Sequence, residues 1–152
     1  MAFSDKKQLH LAVAFGIYCL AVVFMLFVAA PLHGMRTVSD IAADANLREF
    51  SNFIPFKTVG EYLLSHDVGT LLFHTVGNVA MAIPCGILLP ALFRRTRQMS
   101  SVIVATAAAT FILEFCQLML RIGSFDIDTI ILRAVGAAVG FLLYRRLIGH
   151  KA

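Results

Sequence analysis

MSSVIVATAAATFILEFCQLML, residues 99–120, decides the fold. A helix that crosses a bilayer needs roughly 20 predominantly apolar residues. This run supplies them with one charged side chain, Glu114. A helix lying on a soluble core would carry a polar face repeating every 3.6 residues, and the run has none of that extent. Outward from it, residues 9–32, 68–93 and 129–148 read the same way, the second of them interrupted by Pro84 and Pro90. The expected fold class is therefore all-α: a polytopic membrane bundle of four transmembrane helices, forming one domain over residues 1–152, with an outer segment over 33–67.

The composition agrees. Hydrophobic residues make up 59% of the chain and charged ones 14%, against about 25% charged in an average soluble domain. That excludes an ordinary soluble enzyme and a disordered chain, and the length leaves no room for an independent soluble domain beside the bundle. The net charge of +4 does not point to nucleic acid, because the basic residues stand at the ends of apolar runs, where they hold cytoplasmic loops in place. With the N-terminus inside, Lys6, Lys7, Arg94, Arg95, Arg97, Arg145, Arg146 and Lys151 fall on the cytoplasmic side. Arg36, Arg48, Lys57 and Arg121 fall outside, and Arg133 lies just within the fourth span. Both termini are expected in the cytoplasm. The first run resembles a signal peptide at its start, but it is longer than such a region and Ala29-Ala30-Pro31 is a poor cleavage site, so a retained helix is expected. Cys19, Cys85 and Cys116 lie inside apolar runs with no metal-binding spacing and read as small apolar fillers. No metal or cofactor is expected.

The outer segment is the one long connection. Ser39 is placed to cap a short helix. Asn52-Phe-Ile-Pro-Phe56 is too apolar for a free loop and reads as a re-entrant or interfacial stretch that packs back on the bundle, with Tyr62, Leu63 and Leu64 forming a second interfacial turn.

Inside the spans the polar residues are the informative ones, because an ionisable group near the bilayer centre costs about 2.5–3.5 kcal/mol or more. Glu114, Gln117 and Arg121 share one helical stripe, and His74 and Asn78, four apart, share another. At 1.5 Å per residue, Glu114, His74 and Arg133 lie roughly 6–9 Å below the outer ends of their spans, with Asn78 deeper at about 15 Å. Asp126 and Asp128 arrive at the same side from the connection between spans three and four. Structural readings stand beside the functional one. Asn78 and His74 can join helices by hydrogen bonds. Glu114 can pair with Arg133, and Gln117 can bridge Glu114 to Arg121. Asp126 and Asp128 can be metal ligands, a water-facing acidic lip or a cap for the fourth helix. Pro84 frees the Ala80 carbonyl and should kink its helix. Gly136 and Gly140 permit close helix contact, either between copies of the chain or within one bundle.

Taken in order, Asn52-Phe-Ile-Pro55-Phe-Lys57-Thr58, Gly77-Asn78, Ile83-Pro84-Cys-Gly86 with Leu89-Pro90, Glu114-Phe-Cys-Gln117, Gly123-Ser-Phe-Asp126-Ile-Asp128, and Gly136 with Gly140 form a pattern. It resembles the VanZ-like family of small bacterial membrane proteins, named for an accessory protein of glycopeptide (teicoplanin) resistance. The likeness covers roughly residues 52–140. In the family the acidic motif runs Asp-Ile-Asp-Asp with Asn four residues later; this chain has Thr129 and Arg133 at those positions. The resemblance implies a bacterial cytoplasmic-membrane protein with a role in glycopeptide resistance or another envelope function at the outer face, and it implies no catalytic chemistry.

The leading functional expectation is a non-enzymatic membrane protein with an outward-facing polar pocket built from His74, Asn78, Glu114, Gln117, Arg121, Asp126, Asp128 and Arg133, with Asn52, Pro55 and Lys57 in the outer-segment motif. Its ligand would be a membrane lipid, a cell-wall precursor or a glycopeptide antibiotic. The alternative is an intramembrane enzyme acting on an envelope lipid, with Glu114 as general acid or base. A small scaffold or a transporter component is the further alternative; the cytoplasmic half lacks the polar path a conduit needs.

Overall fold

A computed structural model describes residues 5–29, 51–66, 68–120 and 122–147. In chain order these form α1 (Asp5–Phe24) running into a π-helical turn (Met25–Ala29), β1 (Ser51–Asn52), α2 (Lys57–Leu64), α3 (Val68–Leu92), a 3-10 turn (Arg94–Thr96), α4 (Met99–Met119), β2 (Phe125–Asp126) and α5 (Ile127–Leu147). Among the described residues four helices are long and apolar enough to cross a membrane: Asp5–Ala29, Val68–Leu92, Met99–Met119 and Ile127–Leu147. The all-α membrane bundle is as the sequence predicts. The fourth span begins two residues earlier than its apolar run, because Asp126 serves as the cap that starts it. The expected helix at Ser39, the last residues of the first run and Arg121 lie outside the described residues.

The bundle is built inside out relative to a soluble protein. Large apolar side chains such as Val104, Phe111, Ile112, Phe115, Leu142 and Leu143 are exposed, while α4 buries Val102, Thr106, Thr110, Glu114, Gln117 and Leu118, four of the six polar. Hydrocarbon tails are as apolar as leucine, so nothing drives leucine inward, and small or polar residues take the helix contacts instead. The tightest seam joins α3 and α5. A Cβ at Gly136 would run into the Val79 carbonyl, one at Gly140 into the Ile83 carbonyl, and one at Gly86 into the Ala137 carbonyl. Gly136 and Gly140 therefore serve packing within the chain. Pro84 and Pro90 sit inside α3, which continues helically through both to Leu92.

At one end of the bundle, called here the arginine end, Ala91, Val102, Ala137, Phe141 and Tyr144 form the buried apolar cluster. α1 is peripheral, with no buried residue between Asp5 and Phe24. It is held at three levels. Phe15 meets Phe93 edge-on at 6.3 Å, the Tyr18 hydroxyl donates to the Met81 carbonyl at 2.8 Å, and Gln117 Nε2 donates to the Leu26 carbonyl at 3.0 Å.

The opposite, strand end is closed by the outer segment. β1 and β2 pair in parallel, Ser51 with Phe125 and Asn52 with Asp126. Phe125 is buried and stacks on Phe53 at 5.2 Å, with Phe111 of α4 edge-on at 5.5 Å. The expectation that Asn52–Phe56 packs back on the bundle needs correction in one respect. Its backbone docks, but Phe53, Ile54 and Phe56 remain 64%, 64% and 65% exposed, as do Leu63 and Leu64 of α2 to a similar or greater degree. Ile54 and Phe56 stay outside because the backbone, hydrogen-bonded to β2 and α5, takes the inward side, while Phe53 keeps one ring face on Phe125.

Candidate functional site

Asp126 and Asp128 organise the strand end. Asp126 stands just before α5, and its Oδ1 accepts the Asp128 N–H at 2.9 Å, which caps the helix. The same oxygen accepts Asn52 Nδ2 at 3.0 Å, and Oδ2 lies 3.5 Å from His74 Nε2. Asn52 Nδ2 also reaches Thr58 Oγ1 at 2.9 Å, while Asn52 Oδ1 accepts the Ile54 N–H at 3.0 Å and fixes the turn that follows β1. Burial, the largest single influence on Asp126, works to raise its carboxyl. Hydrogen bonds from His74, the Asp128 N–H, Thr58 and Asn52 together outweigh it and hold the carboxyl below the usual range.

Asp128 caps a different helix. α2 begins after Phe56, which has no side-chain oxygen and adopts the left-handed conformation at φ 65° and ψ 10°. That conformation costs an L-residue roughly 1–2 kcal/mol. The Asp128 carboxylate accepts the Phe56 N–H at 2.5 Å and the Val59 N–H at 3.2 Å, so a residue 72 positions away supplies the cap and holds the strained turn.

Below this lid lies the ionic pair. Arg133 Nε donates to Asn78 Oδ1 at 3.0 Å, and Arg133 Nη1 stands 3.7 Å from Glu114 Oε1 with both side chains about nine-tenths buried or more. Asn78 Nδ2 donates back one turn to the His74 carbonyl at 2.8 Å. His74 thus joins the two layers, its backbone to Asn78 and its imidazole to Asp126, and the Tyr62 ring covers it at 5.4 Å. Among the described residues three buried side-chain atoms have no hydrogen-bond partner: His74 Nδ1, Thr75 Oγ1 and Arg133 Nη1.

The structure therefore brings together Asn52, His74, Asn78, Glu114, Asp126, Asp128 and Arg133, which α3, α4, α5 and the outer segment contribute from distant positions. The pairing of Glu114 with Arg133 is the ion-pair reading of the sequence. Gln117 Nε2 donates to the Leu26 carbonyl; its expected bridge from Glu114 to Arg121 ends on a residue outside those described. Lys57 stays at the surface, 3.8 Å from Glu61 one turn on, and Pro55 shapes the bend that leads into α2. Thr58 and Tyr62 belong to the cluster although the sequence marked neither as a site residue; Thr58 is part of the Asn52 motif, and its spacing from Asn52 was the available signal. Among the described residues no three His, Cys, Asp or Glu side chains converge as metal ligands, and the oxygens of Asp126 and Asp128 are engaged by N–H donors. The cluster sets the Glu114 carboxylate against the Arg133 guanidinium and the Asp126 carboxylate against the His74 imidazole, and it can offer Arg133 to an acceptor oxygen.

The VanZ/LLP1 family model matches residues 15–149 of the chain. No curated protein and no solved structure matches it.

Proposed function

The chain belongs to the VanZ/LLP1 family, and on that premise we propose that it is a non-catalytic protein of the bacterial cytoplasmic membrane whose strand end faces outward and receives the polar head of an envelope lipid, a cell-wall precursor or a lipid-tailed glycopeptide. Resistance to teicoplanin-type glycopeptides is the physiological role this reading carries. The orientation rests on charge. Lys6, Lys7, Arg94, Arg95, Arg97, Arg145 and Arg146 gather at the arginine end, with Asp5 as the acidic residue among those described there, and such an excess of basic residues marks the cytoplasmic side.

The observation that carries the reading is the unmet hydrogen-bonding capacity of the cluster. A buried polar atom without a hydrogen-bond partner costs about 1–3 kcal/mol, and a network serving only to join helices gains nothing by leaving His74 Nδ1 without one and Arg133 Nη1 held only by its 3.7 Å contact to Glu114. A headgroup carrying both hydroxyls and phosphate or carbonyl oxygens would satisfy both, an oxygen accepting from Arg133 Nη1 and a hydroxyl donating to His74 Nδ1 when Nε2 holds the ring hydrogen toward Asp126. Leu72, Phe73 and Val76, exposed on α3 around His74, give its acyl portion an apolar surface.

The test uses a strain in which deleting the gene changes glycopeptide sensitivity. Complementation with Glu114→Gln combined with Arg133→Met, which leaves neither charge unpaired, or with that pair plus Gln117→Ala, should fail to restore the parental sensitivity while the variants reach the membrane in normal amount. Full complementation by these variants would sink the idea. The second reading, an intramembrane enzyme, is favoured by one feature, the His74–Asp126 contact, in which a carboxylate orients an imidazole. Purified protein incubated with labelled envelope lipids separates the two, since a binder returns them chemically unchanged.

A further inference from the structure

The arginine end carries a second feature, independent of the cluster above. A groove of about 400 Å³ runs along α5, lined by Val139, Leu142, Leu143, Arg145 and Arg146. Its floor is apolar and exposed: Val139 and Leu143 are each 38% accessible, Leu142 more so. Val135, also exposed, continues the same stripe toward the bilayer centre. From Val135 to Arg146 the helix rises about 16 Å, close to half of the roughly 30 Å hydrocarbon core. One leaflet's acyl chain therefore fits the apolar part, and the two guanidinium groups stand where that chain's headgroup would be.

We propose that this groove is a binding site for an anionic phospholipid of the inner leaflet, its acyl chain lying along Val135, Val139, Leu142 and Leu143 and its phosphate held between Arg145 and Arg146. Charge complementarity selects the occupant. Arginine pairs with phosphate through two parallel hydrogen bonds, a geometry a zwitterionic headgroup's ammonium opposes. A second copy of the chain is disfavoured as occupant, because a self-related contact across this face would bring Arg145 and Arg146 against their own copies. Basic pockets on the cytoplasmic side of membrane helices are suited to this class of lipid.

The experiment is native mass spectrometry of the full chain, delipidated and then titrated with phosphatidylglycerol or phosphatidylcholine of identical acyl chains. The wild type should retain phosphatidylglycerol at least roughly tenfold more strongly, and Arg145→Gln with Arg146→Gln should abolish the preference. Leu142→Trp with Leu143→Trp, which fills the groove and keeps the charge, should weaken retention as well. All four positions are exposed, so the variants fold, and near-native helical content verifies it. Arg94→Gln with Arg95→Gln, at the same end but off the groove, should leave retention as in the wild type. The proposal is overturned by equal retention of the two lipids, by an Arg94/Arg95 variant as impaired as the Arg145/Arg146 one (diffuse surface charge), or by a dimer that the tryptophan pair disrupts, which would assign the groove to a second copy.

Discussion

Replacing Asp128 with alanine should release the outer segment while leaving the four spans in place. Asp128 is 1% exposed, and its carboxylate accepts two backbone N–H groups from the start of α2, Phe56 at 2.5 Å and Val59 at 3.2 Å. A hydrogen bond to a charged group contributes about 1.5–3 kcal/mol. The pair is therefore worth about 3–6 kcal/mol net of water, and the lower figure applies where the freed N–H groups meet water at the bundle end. The net loss, about 3 kcal/mol, corresponds to a rise of roughly 100-fold in the opening equilibrium of the segment. Phe56 then loses the contact that holds its left-handed conformation and relaxes, which adds to the effect. Hydrogen exchange of the protein in nanodiscs, followed peptide by peptide, reads this directly. Amides over 51–64 should exchange about 100-fold faster, and those of 99–119 should not change. Asp128→Asn keeps one acceptor oxygen and should give an intermediate rate. If protection over 51–64 is unaltered in Asp128→Ala, or if the spans lose protection equally, the capping argument fails.

Three further outcomes follow from the same geometry. The Asp126 carboxyl is held below its ordinary range, so its contribution to stability is complete above the unfolded carboxyl value of about 3.9 and is lost as pH falls through the lower folded value. Thermal melts should show a decline below about pH 4 that is shallower in Asp126→Asn. Gly86→Ala should lower the melting temperature clearly, since a Cβ there meets the backbone of Ala137 and Gly140, which cannot step aside; Gly77→Ala, with nothing within 4 Å, should be neutral or raise it by the helical advantage of alanine, about 0.5–1 kcal/mol. Glu114→Gln should destabilise the bundle by roughly 3–5 kcal/mol, because it leaves the Arg133 charge buried without its counter-ion. Adding Arg133→Met should recover most of that loss in unfolding by denaturant, and a double variant as unstable as the single one would refute the pairing.

How much of this was legible beforehand divides by distance along the chain. The stripe of Glu114 and Gln117, and the face shared by His74 and Asn78, follow from helical periodicity, and the structure places both as expected. The partner of Gln117 was not legible. It is a backbone carbonyl 91 residues away, and a carbonyl leaves no mark in a residue pattern. The acidic motif Asp126-Ile-Asp128 offered three readings. Capping describes both residues, but only Asp126 caps the helix that follows it, and Asp128 caps α2, a choice no local rule contains.

The sequence by itself determined the four spans, because spanning depends on the length and apolarity of a continuous run, properties that need no partner. It also placed the costly polar residues toward one end, since depth follows from a fixed rise per residue. Only the tertiary structure decided what those residues meet. Gly86, Gly136 and Gly140 let α3 and α5 approach until Asn78 reaches Arg133, and the two-residue strand pairing brings Asn52 onto Asp126. Hydrogen bonds and ion pairs act over about 3–4 Å, and the positions that meet over that distance are fixed by how the helices pack.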